Sequence, residues 1–229
     1  MIAWLPSAVT IAPNVVFAAE ETLSVLDMKE FVDPMGLFYI QVPNSFYTLR
    51  RSAKGDLPDG NGQGRRGSSI FTAGNMAKAE LIAVERFPTK QLLEENGIEA
   101  TGDLSTFPGL GESSAVASLI VARREKGSAT TNTQIVPDSL FLSADGKELR
   151  FRLRTEIDVQ KPELLMEQYG VSALYRITSA KATLRSNDGY LMAVFASGLE
   201  RDYLGPDGVA LEHSVSSFEV VDRAELGAI

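Results

Sequence analysis

His213 is the only histidine in the chain, and cysteine is absent. Thiol nucleophiles, disulfides, iron–sulfur clusters, cysteine-based zinc sites and multi-histidine metal centres are therefore excluded. As a general base, His213 would need a nucleophile and an orienting acid around it. Ser214, Ser216 and Ser217 adjoin it, but neighbours along a helix point in different directions. His213 lies two positions past Leu211, away from the apolar stripe, so it reads as a surface or flank residue. Metal contact or catalysis are the rarer uses of such a histidine. No G-x-S-x-G elbow, P-loop lysine motif or EF-hand acidic pattern occurs.

Gly62-Gln63-Gly64-Arg65-Arg66-Gly67 matches the G-x-G-x-x-G fingerprint letter for letter. That fingerprint works when a strand feeds a tight turn into a helix N-terminus holding pyrophosphate. Here turn-forming residues precede it and a strand-like run follows, so it reads as a glycine-rich loop. Arg65 and Arg66 either dock on an acidic partner or keep the loop solvated. Glu20-Glu21 and Glu94-Glu95 are adjacent acids. A hard cation needs six to eight converging oxygens, and neighbouring carboxylates do not converge, so solvated surface is the better reading. Glu20 and Glu21 also begin an N-terminal arm, residues 19–32, of a kind that orders on a partner.

Arg150, Arg152 and Arg154 are the most informative surface feature. The run ELRFRLRT alternates strictly and puts Leu149, Phe151 and Leu153 on one strand face and the three arginines on the other. Three like charges on one face need partners if buried. Either cross-strand acids balance them, or they form a basic docking face for an acidic protein surface or anionic headgroups.

The chain carries 30 acidic and 22 basic residues, a net charge of −8 that argues against a nucleic-acid partner. Its 229 residues suit one domain, and the 44% apolar content fills a core. Residues 1–19 hold no charged side chain but are broken by Pro6, Pro13 and Asn14. They read as an export signal, with 1–18 removed after Val16-Phe17-Ala18; an apolar arm packed on the domain and a membrane anchor are the alternatives. The expected segments are a targeting region 1–18, the arm 19–32, a domain 33–222 and a tail 223–229.

The elements follow from periodicity and punctuation. Residues 20–31 suggest a short helix or arm. Leu37–Pro43, Phe46–Leu49, Ser69–Thr72 and Ala79–Phe87 read as strands. Pro88–Gly97 is a short helix stopped at Asn96-Gly97. Residues 101–111 read as loop. Residues 112–125 form an amphipathic helix with Ala115, Val116, Leu119, Ile120 and Arg123 on one face. Residues 126–134 read as polar loop. Asp145-Gly146 turns a hairpin, and Val171–Leu184 with Tyr190–Ser197 forms another. Residues 207–218 are the last helix, with Leu211, Val215 and Phe218 inward. The sum is α+β: an antiparallel sheet of about six strands with helices on its faces.

The order of these pieces resembles the PsbP family over residues 33–221. Asp33-Pro34-Met35-Gly36-Leu37-Phe38-Tyr39-Ile40-Gln41-Val42-Pro43 is similar to that family's opening D-x-x-G-F-x-I-x-x-P. AELIAVERF, Phe151–Thr155 and Tyr175-Arg176-Ile177-Thr178 resemble its sheet segments. Tyr190–Ser197, followed by Leu211–Phe218, resembles its final strand and helix. The resemblance implies a six-stranded antiparallel sheet sandwiched between helices. It also implies a chloroplast thylakoid-lumen protein, peripheral on the membrane, that docks on a photosystem core or on other extrinsic photosystem subunits. Calcium comes into view through the resemblance alone, and no metal ligands carry over.

The expectation is therefore a non-enzymatic extrinsic protein of photosystem II, its oxygen-evolving complex or a related complex, supporting stability or ion retention. Its partner-binding residues would come from Glu20, Glu21, Arg65, Arg66, Arg150, Arg152 and Arg154. A transient photosystem assembly factor is the alternative. A small-molecule-binding or hydrolytic domain comes third, and a pocket gathering several ionisable groups would favour it.

Overall fold

A computed structural model describes residues 26–50, 68–125, 132–185 and 189–221. Glu20, Glu21, Arg65, Arg66, the Gly62–Gly67 motif, segment 1–18 and tail 223–229 lie outside the described residues.

The chain order is β1 (Met28–Val32), β2 (Phe38–Pro43), β3 (Tyr47–Arg50), β4 (Ser69–Asn75), β5 (Glu80–Pro88), α1 (Thr89–Glu94), α2 (Phe107–Leu110) and α3 (Ser113–Glu125). It continues with β6 (Asn132–Ile135), β7 (Phe141–Leu142), β8 (Glu148–Ile157), α4 (Pro162–Tyr169), β9 (Leu174–Arg185), β10 (Tyr190–Leu199), α5 (Glu200–Tyr203), α6 (Pro206–Ser217) and β11 (Glu219–Val220). A 3-10 turn, Met76–Lys78, joins β4 to β5.

The large sheet runs β3-β4-β5-β10-β9-β8-β6, with β7 also paired to β8, and its pairings are antiparallel. The α+β antiparallel class is as expected, but the sheet has eight strands rather than six. Strand β7 is the first arm of the expected Asp145-Gly146 hairpin, and β6, from the expected loop 126–134, adds a further pairing along the outer edge of β8. A second sheet, β1-β2-β11, has three strands.

Alternation along β10 explains the layering. Leu191, Ala193 and Phe195 point to one side of the sheet, where α1, α2 and α3 cover them. Met192, Val194 and Ala196 point to the other, where β2, α6 and Phe218 close the core. A central strand buried on both faces reads as a continuous apolar run, as YLMAVFASGL does.

Several segments depart from their expected form. Residues 28–32 are neither helix nor free arm: they pair with β2 along its full length, and the Phe31 ring lies 4.3 Å from Phe71. The α3 face is rotated toward Ala117 and Val121, which are buried with Val116 and Ile120, while Ala115 is exposed. The expected loops 101–111 and 126–134 contain α2 and the start of β6. The polar run Asn132-Thr133-Gln134 carries no apolar alternation, because an edge strand is held by ladder hydrogen bonds rather than burial. Helix α4, with only Leu165 buried, was equally silent.

Candidate docking face

Strand β8 alternates as its sequence demands. Leu149, Phe151 and Leu153 are buried under the helices. Arg150, Arg152 and Arg154 project to the α6 side, with side chains 40%, 52% and 42% exposed. Each meets an acid. Arg150 Nη2 lies 3.3 Å from Glu148, Arg152 Nη2 2.8 Å from Glu212, and Arg154 Nε 2.6 Å from Glu200. These acids are not the cross-strand residues anticipated. They come from β8 itself, from α6 and from α5. The Arg154 guanidinium also stacks 3.3 Å from the Tyr175 ring centre. Its hydrogen bonds hold the Glu200 carboxyl below the usual carboxylate range.

Behind Arg152 lies a buried polar knot. Glu212 Oε1 accepts from Arg152 Nε at 2.9 Å, from Ser179 Oγ at 2.6 Å and from Tyr203 OH at 2.7 Å. Ser179 is 3% exposed, and its hydroxyl is engaged by Glu212 and Tyr203. Burial pushes the Tyr203 phenol well above its ordinary value. Next to it, Lys181 is buried, donating to Phe218 O at 2.7 Å and meeting Glu148 Oε1 at 3.1 Å. Glu148 thus faces two cations.

A cleft of about 330 Å³ opens where β8 meets α6 and the turn before β7. Asp138, Phe141, Arg150, Arg152, Glu212 and Ser216 are among its lining residues. Asp138 holds a left-handed φ of 59°, which an aspartate tolerates in a tight turn. The cleft does gather ionisable groups, as a catalytic pocket would. Its arginines face carboxylates, and the hydroxyls of Ser139 and Ser179 are hydrogen-bonded within the protein.

His213 sits apart, with Nε2 at 2.7 Å from Gln41 Oε1 across to β2. Ser214 donates to Ala210 O and Ser217 to Ser214 O. Both serines thus bond back within α6, and contact with β2 is made by His213 and by Ser217 Oγ, which accepts from Gln41 N at 3.0 Å. Glu94 and Glu95 point to different cations, Lys90 at 3.3 Å and Arg123 at 2.6 Å. Among the described residues no three His, Asp or Glu side chains gather as an ion would need. The described residues thus do not fit calcium.

Sequence reasoning missed Glu80. Strand β5 starts directly after the Met76–Lys78 turn, and this drags Glu80 inside to 3% exposure. Burial, then the neighbouring Asp207 charge, pushes its carboxyl up to about 7, while Lys78 opposes the rise. Lys78 itself lies 2.8 Å from Asp207 in the first turn of α6. Nothing local in the sequence signals this pairing. Also missed was an apolar groove of about 360 Å³ between α4 and α5, lined by Leu165, Tyr169, Leu174 and Leu199 among others.

No family model matches the chain, and no curated protein matches it. Solved structures do. The solution structure of cyanobacterial PsbP (CyanoP) from Synechocystis superposes with a TM-score of 0.52 at 14% identity, over 87% of this chain and 96% of that one. The crystal structure of the Saccharomyces cerevisiae Ran-binding protein Mog1p superposes with a TM-score of 0.51 at 13% identity, over 87% of this chain and 98% of that one. At these identities the likeness is one of fold: the chain has a fold shared by PsbP and Mog1p.

Proposed function

We propose that this chain is a non-enzymatic recognition domain that docks on a larger assembly through the arginine face of β8. The assembly we favour is photosystem II or a related photosynthetic complex, met at the lumenal surface of the chloroplast thylakoid membrane. The PsbP-like fold and the sequence resemblance support that choice. The observation that carries the docking itself is the arginine row. Three guanidiniums stand on alternate positions of one rigid strand, each steadied by an acid yet 40–52% exposed. Arginine is enriched among the residues that dominate interface energies. Side chains already ordered lose less entropy on binding. On a chain with net charge −8, such a row sets the orientation in which an acidic partner approaches.

The fold shared with the Ran-binding protein Mog1p supports a second reading, in which the partner is a soluble protein rather than a photosynthetic complex.

The test uses the full chain, tagged and incubated with detergent-solubilised thylakoid membranes, then separated on native gels with mass spectrometry. We expect co-migration with a photosynthetic complex and its loss when Arg150, Arg152 and Arg154 are all changed to Glu. Co-migration only with incomplete complexes would identify an assembly factor. Capture of a soluble protein and of no photosynthetic complex would overturn the first reading in favour of the second.

A further inference from the structure

We infer that the cleft between β8, α6 and the turn before β7 receives an acidic side chain of a partner protein, with an apolar neighbour of that side chain packed on Phe141. This rests on the docking reading above and gives it a location and a chemistry.

The first argument is charge. Glu148 is shared between Arg150 at 3.3 Å and Lys181 at 3.1 Å, while Glu212 is taken by Arg152. Arg150 and Arg152 line the cleft with Glu212 and Asp138, and Lys181, buried beside it, takes a share of Glu148, so Arg150 has no carboxylate of its own. Asp138 stands exposed at the lip, where water and salt screen it. A further carboxylate entering the cleft completes the set.

The second argument is unspent hydrogen bonding. The Arg150–Glu148 contact is the longest of the three arginine pairs. Arg150 Nε is buried without a hydrogen-bond partner among the described residues, while the side chain as a whole is 40% exposed. An arginine offers a planar fork of donors, and Arg150 uses little of its own. Arg152 is different. Glu212, itself held by Ser179 and Tyr203, locks it in place, so it shapes the wall rather than reaching for a ligand.

The third argument is the ring beside it. Phe141 lies directly opposite Arg150 in the β7–β8 ladder, so the two side chains share one face of the sheet. Phe141 is 58% exposed, an uncovered aromatic at the mouth of a charged cleft. An aromatic and an arginine side by side are typical interface anchors. The wall facing them is already rigid: Ser139 Oγ donates to Val136 O at 2.7 Å and accepts from Arg152 N at 3.0 Å. A concave site with one apolar and one cationic contact fits an acidic–apolar peptide segment.

The test is fluorescence anisotropy with the full chain and a fluorescein-labelled peptide of alternating glutamate and leucine, beside its glutamine counterpart. We expect binding of the glutamate peptide that weakens with salt, at least tenfold weaker binding by Arg150→Glu, and several-fold weaker binding by Phe141→Ser. Arg201→Glu, a charge change on α5 away from the cleft, should leave affinity within twofold. Phe141 lies outside the ion-pair network, so its variant remains informative if Arg150→Glu fails to fold. Equal affinity for the two peptides, or binding unchanged in both Arg150→Glu and Phe141→Ser, would overturn the inference. So would Arg150-dependent binding to phosphatidylglycerol vesicles without binding to the peptide. The two proposals separate cleanly. Capture of a thylakoid complex that survives both variants sinks the cleft and leaves docking standing. Peptide binding that is lost in both variants, without capture of any complex, keeps the cleft and sinks the thylakoid assignment.

Discussion

Ser179 Oγ and Tyr203 OH are hydrogen-bonded at 2.6 Å, and both lie within hydrogen-bond distance of Glu212 Oε1, at 2.6 and 2.7 Å. Two hydroxyl protons serve the three edges of this triangle. Arg152 neutralises the carboxylate that closes it.

Replacing Glu212 by Ala should therefore cost more than an ordinary surface change. It removes the shared acceptor of two buried hydroxyls, leaving one of their protons without a partner, and removes the Arg152 counter-ion. We expect a loss of about 2–4 kcal/mol in urea denaturation. Glu212→Gln keeps an acceptor oxygen and should cost less. An Ala variant as stable as the parent would show that the knot contributes nothing.

Glu80 makes stability depend on pH near neutrality. Its carboxyl is raised to about 7 in the folded chain, above its ordinary value, so its contribution is fully present below about 4.5 and lost as pH rises through about 7. The groups facing it are Asp207, Lys78 and Asp202. Glu200, held low by Arg154, acts in the opposite sense and loses its contribution as pH falls. The midpoint of thermal unfolding should decline between about pH 4.5 and 7, and Glu80→Gln should flatten that decline. An equally steep decline in the variant would remove Glu80 as its cause.

Gly208 is required by close approach. A Cβ added there would sit 1.7 Å from the backbone oxygen of Tyr203. Gly208→Ala must push α6 off α5 and disturb the Tyr203 hydroxyl. We expect about 3 kcal/mol of destabilisation, read as a lowered midpoint in thermal melts. An unshifted midpoint would mean that the helices part freely.

Phe31 ties the N-terminal strand to the domain through its ring contacts with Phe71 at 4.3 Å and Phe38 at 5.9 Å. Phe31→Ala should cost about 2 kcal/mol, less than a fully buried phenylalanine, because the ring is only partly buried. Truncation through residue 32 should destabilise the domain and not merely weaken its association. A truncated chain with unchanged denaturation would restore the view of this segment as a free arm.

Much of the frame was legible because local chemistry repeats along the chain. The period of two in ELRFRLRT placed the three arginines opposite Leu149, Phe151 and Leu153. Asp145-Gly146 marked a turn, where Gly146 takes a φ of +70°. The spacing of Leu211, Val215 and Phe218 located the inward face of α6. Segments without an apolar period, such as Asn132–Ile135 and α2, were missed for the same reason. A two-residue pattern can be read only where one side is buried and the other is not.

What the amino-acid order determined by itself was the sidedness of each strand and helix, since backbone geometry turns spacing into a face whatever lies opposite. It also set the inventory: one histidine, no cysteine, and more acids than bases. Only the tertiary structure decided which acid answers which base. Arg154 finds Glu200 46 residues away in the chain, and Arg152 finds Glu212 60 residues away. Electrostatic partners are chosen through space, by how α5 and α6 settle on the sheet, and no period in the sequence encodes that distance.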